Sequence, residues 1–270
     1  MALSHELFGK HLRIGNFLYR YAWSVKIKHK FGIDTHYPDY YLWQYLEHPP
    51  IIADVDCKEI IRPRMWEWTP EEEDWLESQP LDNKCIALNF FLQSVNWFKD
   101  YQEEVKESLR FKEEAIINVK EKYNKLFEKP FILLSIRLGD FVGHGDFYQI
   151  PYSWYLKTLS NFDLDKYNVL VTSDDILKAK ELFPGFFYAE SNMTHTHMDN
   201  FKYYHGDASE HFILGTLSDH QIIGNSTFSW WQSFLAKGDT YHTGKVFSST
   251  GNMKDIDTTH YYHPDWIKID

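Results

Sequence analysis

Gln221-Ile222-Ile223-Gly224-Asn225-Ser226-Thr227-Phe228-Ser229-Trp230-Trp231 is a short apolar run that ends at a glycine, passes through three small polar residues and enters a helical pattern. Phe228, Trp231 and Leu235 recur on one helical face, with Phe234 at its edge. The spacing predicts strand, tight turn and helix, with Asn225 or Ser226 at the cap. The first N–H groups of such a helix point into the turn with the positive end of the helix dipole, a ready place for an anion. An ordinary cap on a core helix would use the same residues, and the stretch alone leaves both readings open.

Outward from this stretch the same alternation repeats. Phe131 to Ile136 is a nearly continuous apolar run, as expected of a central parallel strand, and it ends in Arg137-Leu138-Gly139-Asp140. Pro151-Tyr152 opens a helix to about Leu159. Asn168 to Thr172 is the next strand, ending in Ser173-Asp174-Asp175, with a helix to Leu182. Phe186 to Tyr188 is a short strand and Asn192 to Tyr204 a polar loop. Asp207 to Glu210 caps a helix through Leu217, and Lys245 to Ser248 reads as the last strand. Strands and helices in this rhythm predict an α/β sheet with βαβ connections.

Toward the N-terminus the pattern is less regular. Helical spacing runs from Leu18 to a stop at Gly32, with Gly15-Asn16 just before it and Arg13 close by. A plain helix start and a phosphate loop both fit those residues. Asp34 to Arg64, rich in Tyr, His and Pro, reads mostly as loop. Thr69-Pro70-Glu71-Glu72 is a capping box for a short helix to about Leu76. Cys85 to Phe91 reads as a buried strand. Asp100 opens a long helix with Val105, Leu109, Ile116, Val119, Tyr123 and Leu126 on its apolar face. It ends near Pro130, the expected boundary between domains 1–128 and 129–270.

Composition bounds the function. The 270 residues suit one large or two ordinary domains. A formal net charge of −11 argues against a general nucleic-acid or polybasic membrane binder. An anionic ligand would need a local site against that field. Aromatic residues make up 18% of the chain, enough to fill a core, to stack on sugars or bases, or both. Cys57 and Cys85 lack metal-type spacing and read as reduced thiols of a cytoplasmic protein. The sequence shows no signal peptide and no membrane span.

Three strand ends carry polar sets: Arg137/Gly139/Asp140, Ser173/Asp174/Asp175 and Gly224/Asn225/Ser226/Thr227. Open α/β sheets bind ligands beyond the carboxyl ends of their strands. Arg137 offers a planar fork for phosphate, the helix start after Asn225 offers neutral donors, and an aspartate can accept from ribose or guanine. A nucleoside diphosphate fits this combination of basic and acidic subsites. His195, His197 and Asp199 lack a fourth ligand at a helpful spacing. No metal site and no cofactor are expected.

At these residues the chain resembles the α-1,2-fucosyltransferases, within the wider group of α-1,6- and protein O-fucosyltransferases. His220 to Trp231 is similar to that family's third motif almost throughout. Ile136 to Phe141 resembles its His-x-Arg-x-Gly-Asp-Tyr motif, Thr172 to Asp175 its Ser-Asp-Asp motif, Gly15-Asn16 its N-terminal loop, and Phe91 to Ser94 its Tyr-Phe-Gln-Ser segment. The resemblance implies a GT-B-like fold, with two Rossmann-type domains facing across a cleft, an acceptor-side domain over 1–128 and a GDP-sugar domain over 129–270. It implies inverting, metal-independent transfer of L-fucose from GDP-fucose to a glycan or glycolipid hydroxyl. Gly15, Asn16, Arg137, Gly139, Ser173, Asp174, Asp175, Asn225, Ser226, Thr227 and Phe228 would bind the donor. Arg137 would act in catalysis by stabilising the leaving diphosphate; the base that inversion needs is open between Asp140, a carboxylate of the N-terminal half and His11. Ser135 and Leu138 depart from the family pattern, where histidine and a second arginine are common. The departures keep a second reading open, with another GDP-deoxyhexose or a non-galactose acceptor. A third is a carbohydrate-binding protein without turnover. No nucleic-acid partner is expected, and peripheral membrane contact stays open.

Overall fold

The computed structural model describes residues 14–37, 39–53, 67–79, 81, 92–139, 141–189 and 201–270, with only the backbone for 201–207. The predicted strand over Cys85–Phe91, both cysteines and the His195–Asp199 segment lie outside these residues. The chain divides into two compact units, the first reaching Glu113 and taking back Thr259–Tyr261, the second holding the remainder.

In the first unit, helix α1 spans Ile14–Phe31 and is buried from Ile14 to Ile27 except at Asn16. Gly32, at φ +67, closes it in the left-handed region that a side chain disfavours. Much of the aromatic content goes into this packing. Phe17 stacks on Tyr40 with ring centres 4.1 Å apart, and Tyr21 and Phe17 both meet Trp43. Helix α2, Pro70–Glu77, starts as its capping box predicts, with Thr69 accepting the Glu72 N–H at 3.1 Å. It also supplies Glu73 and Glu77 to the buried Lys26 ammonium.

The long helix expected after Asp100 is broken. A 3-10 turn covers Val95–Tyr101, α3 covers Gln102–Ser108, and α4 begins at Glu113 and runs to Lys122. Between α3 and α4 the backbone is extended, because the Glu47 N–H donates to Arg110 and the Lys112 N–H to Tyr45, both at 2.9 Å. The buried positions Val105, Leu109, Ala115 and Val119 continue across this break, so the apolar pattern reads as one helix.

The second unit is a parallel sheet built from β1 (Phe131–Ile136), β2 (Asn168–Ser173), β3 (Phe187–Tyr188), β4 (His220–Ile223), β5 (Thr240–His242) and β6 (Ile267–Lys268). Spatial order is β3-β2-β1-β4-β5-β6, with every neighbouring pair parallel. This is the Rossmann order, in which the direction of winding reverses between β1 and β4. All six β1 residues are buried, as expected for the central strand. The helices are α5 (Tyr152–Leu159), α6 (Ile176–Leu182), α7 (Phe201–Thr216) and α8 (Thr227–Leu235). Trp154, Tyr155 and Leu159 from α5, Ile176 and Ala179 from α6, and Phe183 just after it join the strands in one apolar cluster. No helix among the described residues is long and apolar enough to cross a membrane.

Two expectations for this unit change. Helix α7 starts at Phe201, inside the segment read as polar loop. Lys245–Ser248 is not a strand: Phe247 makes one antiparallel bridge to Phe147, and the sheet continues through β5 and β6 instead. Strands of three and two residues are too short for period-2 alternation to register. Val246 and Phe247 are apolar because they pack a loop.

His242 ends β5 as a buried ring stacked on Tyr262, with centres 3.9 Å apart. Its Nδ1 accepts the Gly244 N–H at 3.0 Å. Burial first, and then the Lys268 ammonium, pull its pKa from 6.5 down to about 4. The unfolded chain therefore takes up this proton at a higher pH than the folded one. The resulting stability is present above pH 6.5 and lost as pH falls toward 4, by up to roughly 3 kcal/mol. Urea midpoints measured across that range should fall with pH, and His242→Gln should flatten that part of the profile.

Candidate donor-binding site

The sheet register brings the polar strand ends together. Ile136 pairs with Ser173, and Ser135 pairs with Thr172 on one side and Ile223 on the other. Arg137, Asp174 and Asn225 therefore leave the sheet at one level, on adjacent strands, at the carboxyl edge, with Gly224 one residue before it.

Asp174 ties two of these ends. It is buried, and its Oδ1 accepts the Leu138 N–H at 2.8 Å and the Gly139 N–H at 3.0 Å. Its Oδ2 lies 3.0 Å from Arg137 Nε, but the N–H is not aimed along that line. The pair is Coulombic rather than a formed hydrogen bond. The Arg137 guanidinium also lies 5.1 Å from the ring centre of Phe141, which stacks on Phe147 at 3.9 Å. A carboxylate and a ring thus fix the arginine, while 17% of its side chain stays exposed at the site.

Asp175 works differently. Its Oδ1 caps α6 by accepting the Lys178 N–H at 3.0 Å, and its own N–H donates to Ser173 Oγ at 3.1 Å. Among the described residues its second oxygen has no hydrogen-bond partner, and the residue is half-buried. Of the two aspartates, Asp175 is the one with an oxygen left to accept from a ligand.

At the third strand end, Ser226 holds the cap position of α8 with extended backbone, but its side chain makes no capping hydrogen bond. Ser226, Thr227 and Phe228 are half-buried, and the first turn of α8 opens there. Asn225 departs from expectation. Its amide donates to the Tyr148 carbonyl at 3.1 Å and the Val246 carbonyl at 2.7 Å, deep in the protein. Both N–H donors are taken up in bracing loops, so its side chain positions the turn rather than offering those donors to an anion. Gly224 is confined too: a Cβ there would lie 3.2 Å from Ile150 Cδ1 and Tyr155 Oη.

A fourth strand end was not legible in the sequence. Strand β5 opens at the same edge into Thr243-Gly244-Lys245. Tyr262 Oη donates to Lys245 O at 3.3 Å and reaches Gly224 O at 3.4 Å, joining this end to the third. Gly244 followed by a lysine marks this end in the sequence, but the apolar pair Val246-Phe247 after it makes Lys245–Ser248 read as the strand.

In the first unit, Gly15 and Asn16 lie inside the first turn of α1 rather than in a preceding loop. Asn16 Oδ1 accepts from Gln93 Nε2 at 2.9 Å, which links two of the segments singled out in the sequence. Asp140, His11 and Arg13 lie outside the described residues.

A family model described as glycosyl transferase family 11 matches residues 49–270. No curated protein matches the chain. Among solved structures, the fucosyltransferase NodZ from Bradyrhizobium is similar at a TM-score of 0.54 and 12% identity, covering 82% of this chain and 88% of that one. A NodZ α-1,6-fucosyltransferase co-crystallised with GDP is similar at 0.52 and 13%, covering 82% and 89%. The same enzyme soaked with GDP-fucose gives 0.52 and 13%, covering 83% and 89%. At this identity the likeness establishes the fold, which is GT-B-like.

The two aspartates should separate in stability. Asp174→Ala leaves Arg137 without its buried counterion and two N–H groups without an acceptor, and should cost about 3–5 kcal/mol. Asp175→Ala removes a helix cap and should cost about 1 kcal/mol. Equal losses in chemical unfolding would contradict these roles.

Proposed function

Since this chain belongs to glycosyl transferase family 11, we propose that it transfers L-fucose from GDP-β-L-fucose to a glycan hydroxyl, with inversion and in α-1,2 linkage. The observation that carries this is the meeting of a braced arginine, an open helix start and an acceptor aspartate on neighbouring strand ends. Donor use also accords with NodZ, whose crystals were grown with GDP or soaked with GDP-fucose.

In the reaction, the acceptor oxygen attacks the anomeric carbon while the bond from that carbon to the β-phosphate oxygen breaks. The electron pair leaves on GDP, so the chief requirement is stabilising charge on the diphosphate. Arg137 meets a phosphate with its exposed edge, and Asp174 and Phe141 keep it from turning away. The N–H groups of Ser226, Thr227 and Phe228 meet the phosphates with the positive end of the α8 dipole. Gly139 keeps the backbone close to the donor, and its N–H is held by Asp174. Asp175 accepts from the nucleoside, with Ser173 orienting it. The proton released by the acceptor hydroxyl goes to a base, for which the sequence offers Asp140, His11 or a carboxylate of the N-terminal half.

Fixed protein charge does here what a divalent cation does in other diphosphate-leaving reactions. No cofactor enters this scheme; the GDP-sugar is a substrate. A second reading keeps a GDP-sugar donor and changes the sugar or the acceptor. Ser135 favours it, being buried on β1 where the family pattern has histidine. A donor panel, with product linkage assigned by NMR, separates the two.

Turnover of a GDP-sugar should survive EDTA. Arg137→Ala should lower it by about two to four orders of magnitude, and Arg137→Lys should lose less. Activity abolished by chelator and restored by Mn²⁺, or near-normal turnover of Arg137→Ala, would contradict the scheme.

A further inference from the structure

We propose that Lys245 supplies a second cation to the donor's diphosphate, from the end of β5. This rests on the GDP-sugar reading above and adds a residue to it.

The need is electrostatic. A sugar-linked diphosphate carries a negative charge on each phosphate, and it must be held by a chain of formal charge −11. Arg137 does not bring a full uncompensated charge, because Asp174 lies 3.0 Å from its Nε and is buried with it. The first turn of α8 contributes only about half a charge. Lys178, on the helix after β2, is paired with Glu181 at 2.7 Å. Lys245 has no carboxylate partner among the described residues, and it is exposed.

Its placement fits the role. β4 and β5 are parallel neighbours, with Gln221 opposite Thr240 and Ile222 opposite Tyr241. Thr243 therefore leaves the sheet at the level of Gly224. The backbone around Lys245 is fixed on both sides. Its N–H donates to Thr243 Oγ1 at 3.0 Å, and its carbonyl accepts from Tyr262 Oη, the hydroxyl that also reaches Gly224. The next carbonyl, of Val246, accepts from Asn225. Gly244 makes this turn at φ +72, and a Cβ there would lie 2.6 Å from Lys268 Cε. The lysine thus springs from a segment bonded to the turn that opens α8. Its ammonium lies 4.8 Å from the ring centre of Tyr148, whose carbonyl is also held by Asn225. An exposed contact of this kind is worth only about 0.5–1 kcal/mol, weak enough for the ammonium to leave it for a phosphate.

Calorimetric titration of the full chain with GDP, GMP and guanosine tests this. Lys245→Met keeps the stem and removes the charge; Lys245→Arg keeps the charge. Lys245→Met should weaken GDP binding about tenfold, the scale of one charge-assisted contact, and leave guanosine binding unchanged. Lys245→Arg should retain most of the affinity. The gap should narrow as salt is raised. Parent-like GDP affinity in Lys245→Met, or an equal loss with guanosine, would overturn the role of Lys245 while leaving the donor reading intact. A parent chain that does not bind GDP would overturn both.

Discussion

The Asp174 carboxylate is the constraint on which the site depends. It sits at the end of β2, yet three of its contacts are on the segment that leaves β1: the N–H groups of Leu138 and Gly139, and the Arg137 side chain. A buried carboxylate is tolerable only when its charge is matched and hydrogen bonds reach it; here Oδ1 accepts two and Oδ2 faces the guanidinium. That requirement holds the two strand ends at one level and orients the arginine. Parallel pairing sets the level in the first place. On the other side of β1, Asn225 does the equivalent work without charge, tying the turn after β4 to Tyr148 and Val246.

The polar residues of the edge therefore divide by what they touch. Asp174 and Asn225 face inward and serve the backbone. Arg137 stays partly exposed, Asp175 keeps one oxygen outside its helix cap, and the start of α8 has no side-chain cap, which are the groups the proposed donor site uses. Tyr262 extends the bracing to the end of β5. An anion site in an acidic protein needs this organisation, because the surrounding field opposes the ligand and only pre-oriented donors offset it.

Much of this was legible in the sequence. β1, β2 and β4, the helices after them and the Thr69 cap follow from periodicity and turn chemistry, and the three polar strand ends announce a common edge. The chemistry of Arg137 suggests a phosphate ligand, but its partner Asp174 was not legible, since sequence cannot say which of two adjacent aspartates turns inward. Asn225 looked like a ligand because the same amide suits a phosphate or a carbonyl. The end of β5 was hidden by its three-residue strand, and the break after α3 by an apolar pattern that continues across it. Gly15 and Asn16 sat one turn further into α1 than helical spacing alone suggested, since the pattern becomes distinct only from Leu18.

Amide hydrogen exchange, followed residue by residue with and without GDP, tests the central claim most directly. The N–H groups of Ser226, Thr227 and Phe228 should gain protection when GDP binds, while those of Leu138 and Gly139, already bonded to Asp174, should be slow to exchange in both states. GDP binding that leaves the first turn of α8 unchanged, or fast exchange at Leu138 and Gly139 in the free protein, would contradict the account.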